Sequence, residues 1–140
     1  MKLTIVTIVF VLMNLISEAH GCTCAVGTDQ EVFCRAEFAS RGKITEIKPL
    51  KGGQVEYTVA VNYNFKIKVP KTLKVRSEKD VGAECGVKLD KGVEYLISGT
   101  VTKNRYGSIY RINSCLWNQK WQSIKFETQR KLLRGQFNNC

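Results

Sequence analysis

Cys22-Thr23-Cys24 is the tightest grouping of reactive side chains in the chain. Two thiols one residue apart can hold a metal or enter disulfides. Thiolate zinc sites usually draw on closely spaced pairs from both sides of the ion, whereas Cys34, Cys85, Cys115 and Cys140 each stand alone. Six cysteines in a small chain therefore read as three disulfides, in any of 15 connectivities. Imidazole chemistry rests on one residue, since His20 is the single histidine of 140 residues. Without it there is no Ser-His-Asp or Cys-His triad, no histidine-bound zinc and no imidazole base. Paired carboxylates could still hydrolyse a glycoside, but the acids are scattered. No enzymatic activity is expected.

Whether His20 persists depends on the first 21 residues. Lys2 precedes an apolar run of 14 residues, Leu3 to Ile16, followed by Ser17-Glu-Ala-His-Gly21. A basic start, a short apolar core and small residues describe a secretory signal peptide; a membrane span needs about 20 apolar residues. Cleavage after Ala19 leaves His20 first, and cleavage after Gly21 leaves Cys22 first, with no histidine remaining. The expected division is a signal peptide over 1–21 and one secreted domain over 22–140. The formal charge of +10, from 22 Lys+Arg against 12 Asp+Glu, survives processing because Lys2 and Glu18 leave together.

The elements that must position these residues read mainly as strands. Thr28-Asp-Gln-Glu31 matches a capping box and opens a short helix through Val32, Phe33 and Ala36. Gly42 to Ile47 reads as a strand, and Pro49 to Gly53 as a turn. From Val55 to Val69 every odd position is apolar or aromatic, which predicts a long or bent strand with one buried face. Leu73, Val75 and Val81 extend a further strand, Gly92 to Val101 another, and Asn104 to Gly107 turns into Ser108 to Ile112. Trp121, Ile124, Leu132 and Leu133 fall on a helix face that Gly135 stops. A small barrel with helices packed on it accounts for this order.

Cys22-Thr-Cys24, then nine residues and Cys34, together with Cys85-Gly86, Tyr95-Leu-Ile-Ser-Gly99, Cys115 with Trp117, Gln129-Arg130 and the final Cys140, resemble the N-terminal half of the tissue inhibitors of metalloproteinases. The resemblance implies a netrin-like module, a five-stranded OB-type closed barrel with flanking helices. It implies three disulfides, Cys22 with Cys85, Cys24 with Cys115 and Cys34 with Cys140. It implies a protease-binding edge made of Cys22, Thr23, Cys24, Ala25 and Val26, joined by Val81, Gly82, Ala83, Glu84 and Cys85. In this family the first cysteine chelates the target's zinc through its α-amino group and carbonyl oxygen, and the next residue enters the specificity pocket. The chain would then need no cofactor of its own, would require Cys22 as its first residue, and would bind metalloproteases one to one as a monomer. Two departures bear on potency. Val26 stands where the family usually has proline, which predicts a more flexible edge, and the Pro49 to Gly53 turn is compact.

Lys66, Lys68, Lys71, Lys74, Arg76 and Lys79 cluster in sequence. In a basic secreted protein such a cluster either binds heparan sulfate or another acidic matrix polymer, or keeps a small domain soluble. OB-type barrels also bind nucleic acid, but an oxidising extracellular setting argues against that partner, and no membrane partner is expected. The competing function is a netrin-like binding module for matrix, receptor or host factor that blocks no protease.

Overall fold

The computed structural model describes residues 22–79 and 84–140. The signal-peptide expectation, and with it His20, lies outside these residues, as does Val81. Helix α1 spans Asp29–Arg35 and carries the capping box read from the sequence. Glu31 N donates to Thr28 Oγ1, and Thr28 N donates to Glu31 Oε2 at 2.8 Å. Strand β1 (Phe38–Pro49) begins four residues before the expected Gly42 and pairs with β2 (Val55–Asn64) across a turn in which Gly52 and Gly53 take φ of 76° and 78°. Such left-handed angles favour glycine.

Strands β3 (Thr72–Ser77), β4 (Glu94–Asn104) and β5 (Gly107–Arg111) complete a ring in the order β1-β2-β3-β5-β4, closed by pairing of β4 with β1. Every contact in the ring is antiparallel except the short parallel pairing of β3 with β5. This is the expected five-stranded OB-type barrel. A two-residue strand, β6 (Gln119–Lys120), adds to β4 outside the ring.

Alternation along β1 and β4 divides the buried side chains into two groups. Phe38, Ile44, Tyr95 and Ile97 point into the barrel with Tyr57, Val59, Leu73 and Val75, while Ala39 and Leu96 face outward. The outward group packs with Phe33, Phe65, Trp121, Ile124, Leu132 and Phe137. Strands buried on both faces need cover on the outside, and α1 together with helix α2 (Phe126–Leu133) supplies it. The Cys34–Cys140 disulfide, with Cα atoms 5.5 Å apart, ties α1 to the chain end.

The odd-position run from Val55 to Val69 does not form one continuous face. Strand β2 ends at Asn64, whose Oδ1 accepts from Ser40 Oγ at 2.9 Å. Phe65 then turns into the outer group, Val69 returns to the barrel interior, and Tyr63 and Ile67 are exposed. The tail corrects a single helix face in the same way. A 3-10 turn at Trp121–Ser123 precedes α2, and Leu133 is left exposed. Gly135 stops α2 at φ 71°, its N–H donating to Leu132 O, in the manner of a helix C-cap.

Candidate functional site

The first described residues form an irregular edge clamped at two points. Cys22 is joined to Cys85 and Cys24 to Cys115, with Cα separations of 5.0 and 5.1 Å. With Cys34–Cys140, these are the three pairings that the family resemblance implies. Thr23, Ala25 and Val26 are exposed, Val26 almost fully at 99%. Glu84 is exposed beside the Cys22 disulfide; Val81, Gly82 and Ala83 lie outside the described residues. Cys85 itself takes a left-handed φ of 58°, uncommon for a residue with a Cβ and a conformation that surrounding structure must enforce.

The loop under the edge supplies that enforcement. Ser114 N donates to Cys85 O at 2.9 Å, and the Ser114 hydroxyl lies 3.4 Å from Cys22 Sγ. Asn113 Oδ1 accepts from Cys115 N, while Asn118 Nδ2 donates to Asn113 O. Asn118 Oδ1 accepts from Ser98 N at 3.0 Å, and Ser98 Oγ donates to Trp117 O at 2.9 Å. Ser98 is buried in β4, so the disulfide-bearing loop is fastened to the barrel wall by satisfied polar groups. Sequence reading missed Asn113, Ser114 and Asn118. Their side chains match no motif, and only the loop's return to the edge gives them a role.

The sulfur atoms of Cys22, Cys24 and Cys115 lie within 4.8 Å of one another. They converge because two disulfides run side by side, and sulfur in a disulfide is not the thiolate that zinc requires. The backbone of Cys22, by contrast, has an amino nitrogen and a carbonyl oxygen on one residue. Cleavage after Gly21 would free that nitrogen as an amine.

Beyond Cys24 the edge is held from α1. Arg35 Nη1 donates to Ala25 O at 2.8 Å and Nη2 to Val26 O at 3.2 Å. Sequence reading expected a loose edge here for lack of proline and did not include Arg35. An arginine in the last turn of a capped helix was legible; its meeting with carbonyls nine and ten residues earlier was not.

The basic cluster divides. Lys66 is committed to the backbone, donating to the carbonyls of Phe33, Cys34 and Ala36, which removes it from the expected patch. Its position after the end of β2 turns the side chain toward α1. Lys68, Lys71 and Lys79 are exposed. Lys74 and Arg76 flank Glu56 at 3.8 and 3.5 Å, so an acid sits among them. Arg111 of β5, absent from the sequence reading, lies in register beside Arg76.

A family model described as tissue inhibitor of metalloproteinase matches residues 20–140. The chain is 30% identical over 139 residues to an NTR domain-containing protein of Margaritifera margaritifera, covering 91% of this chain and 88% of that protein. It is 30% identical over 132 residues to metalloproteinase inhibitor 3 of Xenopus laevis, covering 90% of this chain and 59% of the relative. Over 137 residues it is 30% identical to metalloproteinase inhibitor 2 of Homo sapiens, again 90% of this chain but 60% of the relative. The chain thus spans about three fifths of the length of these vertebrate inhibitors.

Proposed function

The chain belongs to the tissue inhibitor of metalloproteinase family, and from that premise we propose that it is a secreted inhibitor of zinc metalloproteases. The observation that carries the reading is the clamped, exposed edge at Cys22 to Val26, tied to the barrel by two disulfides. Chain termini are ordinarily frayed. An edge already ordered before docking loses little entropy when it binds.

Removal of residues 1–21 would make Cys22 the first residue. Its α-amino group, with a reference pKa of about 8, gives up a proton at little cost near neutral pH. The neutral amine and the Cys22 carbonyl oxygen would then chelate the protease's zinc, one donor replacing its activating water and the other raising the ion to five-coordinate. Thr23 would enter the pocket beyond the scissile bond, with Val81 to Cys85 forming the second part of the contact. The zinc belongs to the target, so the inhibitor needs no cofactor, and one edge per domain gives a one-to-one complex of a monomeric inhibitor.

The test is an inhibition assay against a panel of matrix metalloproteases, run with the secreted protein and a variant carrying one Ala before Cys22. Mass spectrometry of the secreted protein is expected to find Cys22 first. Inhibition is expected from the secreted protein and at least a hundredfold less from the extended variant, a change of about 2.7 kcal/mol. Equal inhibition by the two forms, or undiminished inhibition by a protein beginning at His20, would overturn chelation. The second reading, a netrin-like binding module, has its own support: the NTR relative is matched over 88% of its length, and Lys68 and Lys71 stand exposed beside the barrel. Absence of inhibition by either form would favour it.

A further inference from the structure

Between Cys24, fixed by its disulfide, and Thr28, which caps α1, the edge has no regular secondary structure. One side chain reaches across this interval. The Arg35 guanidinium donates through separate nitrogens to two successive carbonyls, Ala25 O at 2.8 Å and Val26 O at 3.2 Å. A planar guanidinium holds two acceptors at a fixed spacing, which a flexible ammonium cannot reproduce. Gly27 makes the approach sterically feasible: a Cβ there would fall 2.6 Å from Arg35 Nη2 and 2.8 Å from Glu31 Oε2.

The support from which Arg35 acts is itself anchored. Its helix is capped by Thr28 and Glu31, buries Phe33, and is tied to Cys140 through Cys34. Gln30 Nε2 also donates to Phe137 O at 2.7 Å. The fork therefore transfers the rigidity of the helix to the two edge residues that follow the clamped cysteines.

Resting on the inhibitory reading above, we infer that Arg35 is a positioning residue for protease docking. It fixes the backbone of Ala25 and Val26 in the irregular edge, supplying the stiffness that a proline at position 26 would otherwise provide, while Gly27 leaves room for its guanidinium. Arg35 need touch no protease atom to do this. Its contribution is to lower the ordering cost of the edge on binding, and that cost appears mainly in the dissociation rate.

Three variants of the secreted protein test it: Arg35→Met, which removes the fork; Arg35→Lys, which keeps the charge without the fork; and Gly27→Ala, which pushes the guanidinium away. Backbone order parameters of Val26 and Gly27 are expected near the rigid value of about 0.85 in the wild type and below about 0.6 in Arg35→Met and Arg35→Lys. In Gly27→Ala the same fall is expected at Val26. All three should dissociate from the protease about tenfold faster with little change in association rate. Wild-type order parameters in Arg35→Met would overturn the fork whether or not the protein inhibits. Wild-type dissociation from Arg35→Lys would assign the effect to charge and overturn the positioning role. If the wild type inhibits no protease, the proposed function fails, while the order parameters still decide whether Arg35 stiffens the edge.

Discussion

The Lys66 ammonium donates to the Phe33 carbonyl at 3.1 Å and lies 5.1 Å from the centroid of the Phe33 ring. It also reaches the carbonyls of Cys34 and Ala36. Helix C-termini leave carbonyls without intrahelical partners, and here one cation from the segment after β2 satisfies the end of α1. Burial pushes this ammonium below the ordinary lysine range. The ring and the convergent carbonyls offset part of what desolvation costs. A basic residue that looks solvated in sequence is thus a structural cap on the helix that carries Arg35.

Lys66→Met keeps an unbranched chain and removes the donor. Loss of hydrogen bonds to several carbonyls is expected to lower stability by about 1 to 2 kcal/mol, measured by urea denaturation. Stability equal to the wild type would show that water replaces the ammonium at no cost.

Removing Lys66 should leave polyanion binding unchanged, because its charge is already turned toward the backbone. The double substitution Lys68→Gln and Lys71→Gln is instead expected to lower the salt concentration that elutes the protein from heparin, since both side chains are exposed and exposed charge attracts a polyanion in a salt-dependent way. Retention that falls in Lys66→Met but not in the double variant would reverse this assignment.

Glu94 should shape the acid limb of stability. Burial by itself lifts its carboxyl, but hydrogen bonds from Arg41 and Asn62, with the charges of Arg41 and Lys43, outweigh that effect and hold it below the usual value of 4.5. Arg41 Nε reaches Glu94 Oε1 at 2.8 Å and Asn62 Nδ2 reaches Oε2 at 2.7 Å. Because the folded pKa is depressed, this stabilisation is fully present above the unfolded value and is lost as pH falls through the folded one. Melting temperatures taken from about pH 7 down to about pH 3 should fall less steeply below about pH 4.5 in Glu94→Gln than in the wild type. Parallel acid limbs would contradict the coupling. The Arg41 guanidinium also lies 4.4 Å from the Trp121 ring centroid, so Glu94 orients a cation that joins the barrel to its outer cover.

The sequence by itself determined the local elements and their chemistry. Thr28 and Glu31 dictated a capped helix because both groups act within one turn. Asn104 to Gly107 dictated a hairpin because Gly107 can take a φ of 128°. The cysteine spacing, through its likeness to a family, implied pairings that bring residues 22 and 85, or 24 and 115, together.

What only the tertiary structure decided concerns groups whose partners are remote in the chain. Alternation from Val55 to Val69 marked apolar positions but could not show that Val59 and Val69 fill the barrel while Phe65 fills the outer group. A period of two assigns faces only as long as the strand continues, and β2 ends at Asn64. Lys66 and Arg35 carry the same lesson in charge. A cation's role is set by the carbonyls its flexible stem reaches, and those lie 30 residues away for Lys66 with Ala36 and 9 for Arg35 with Val26. Backbone carbonyls carry no side-chain signature, so the helix cap and the fork on the binding edge became readable only once the barrel had brought the segments together.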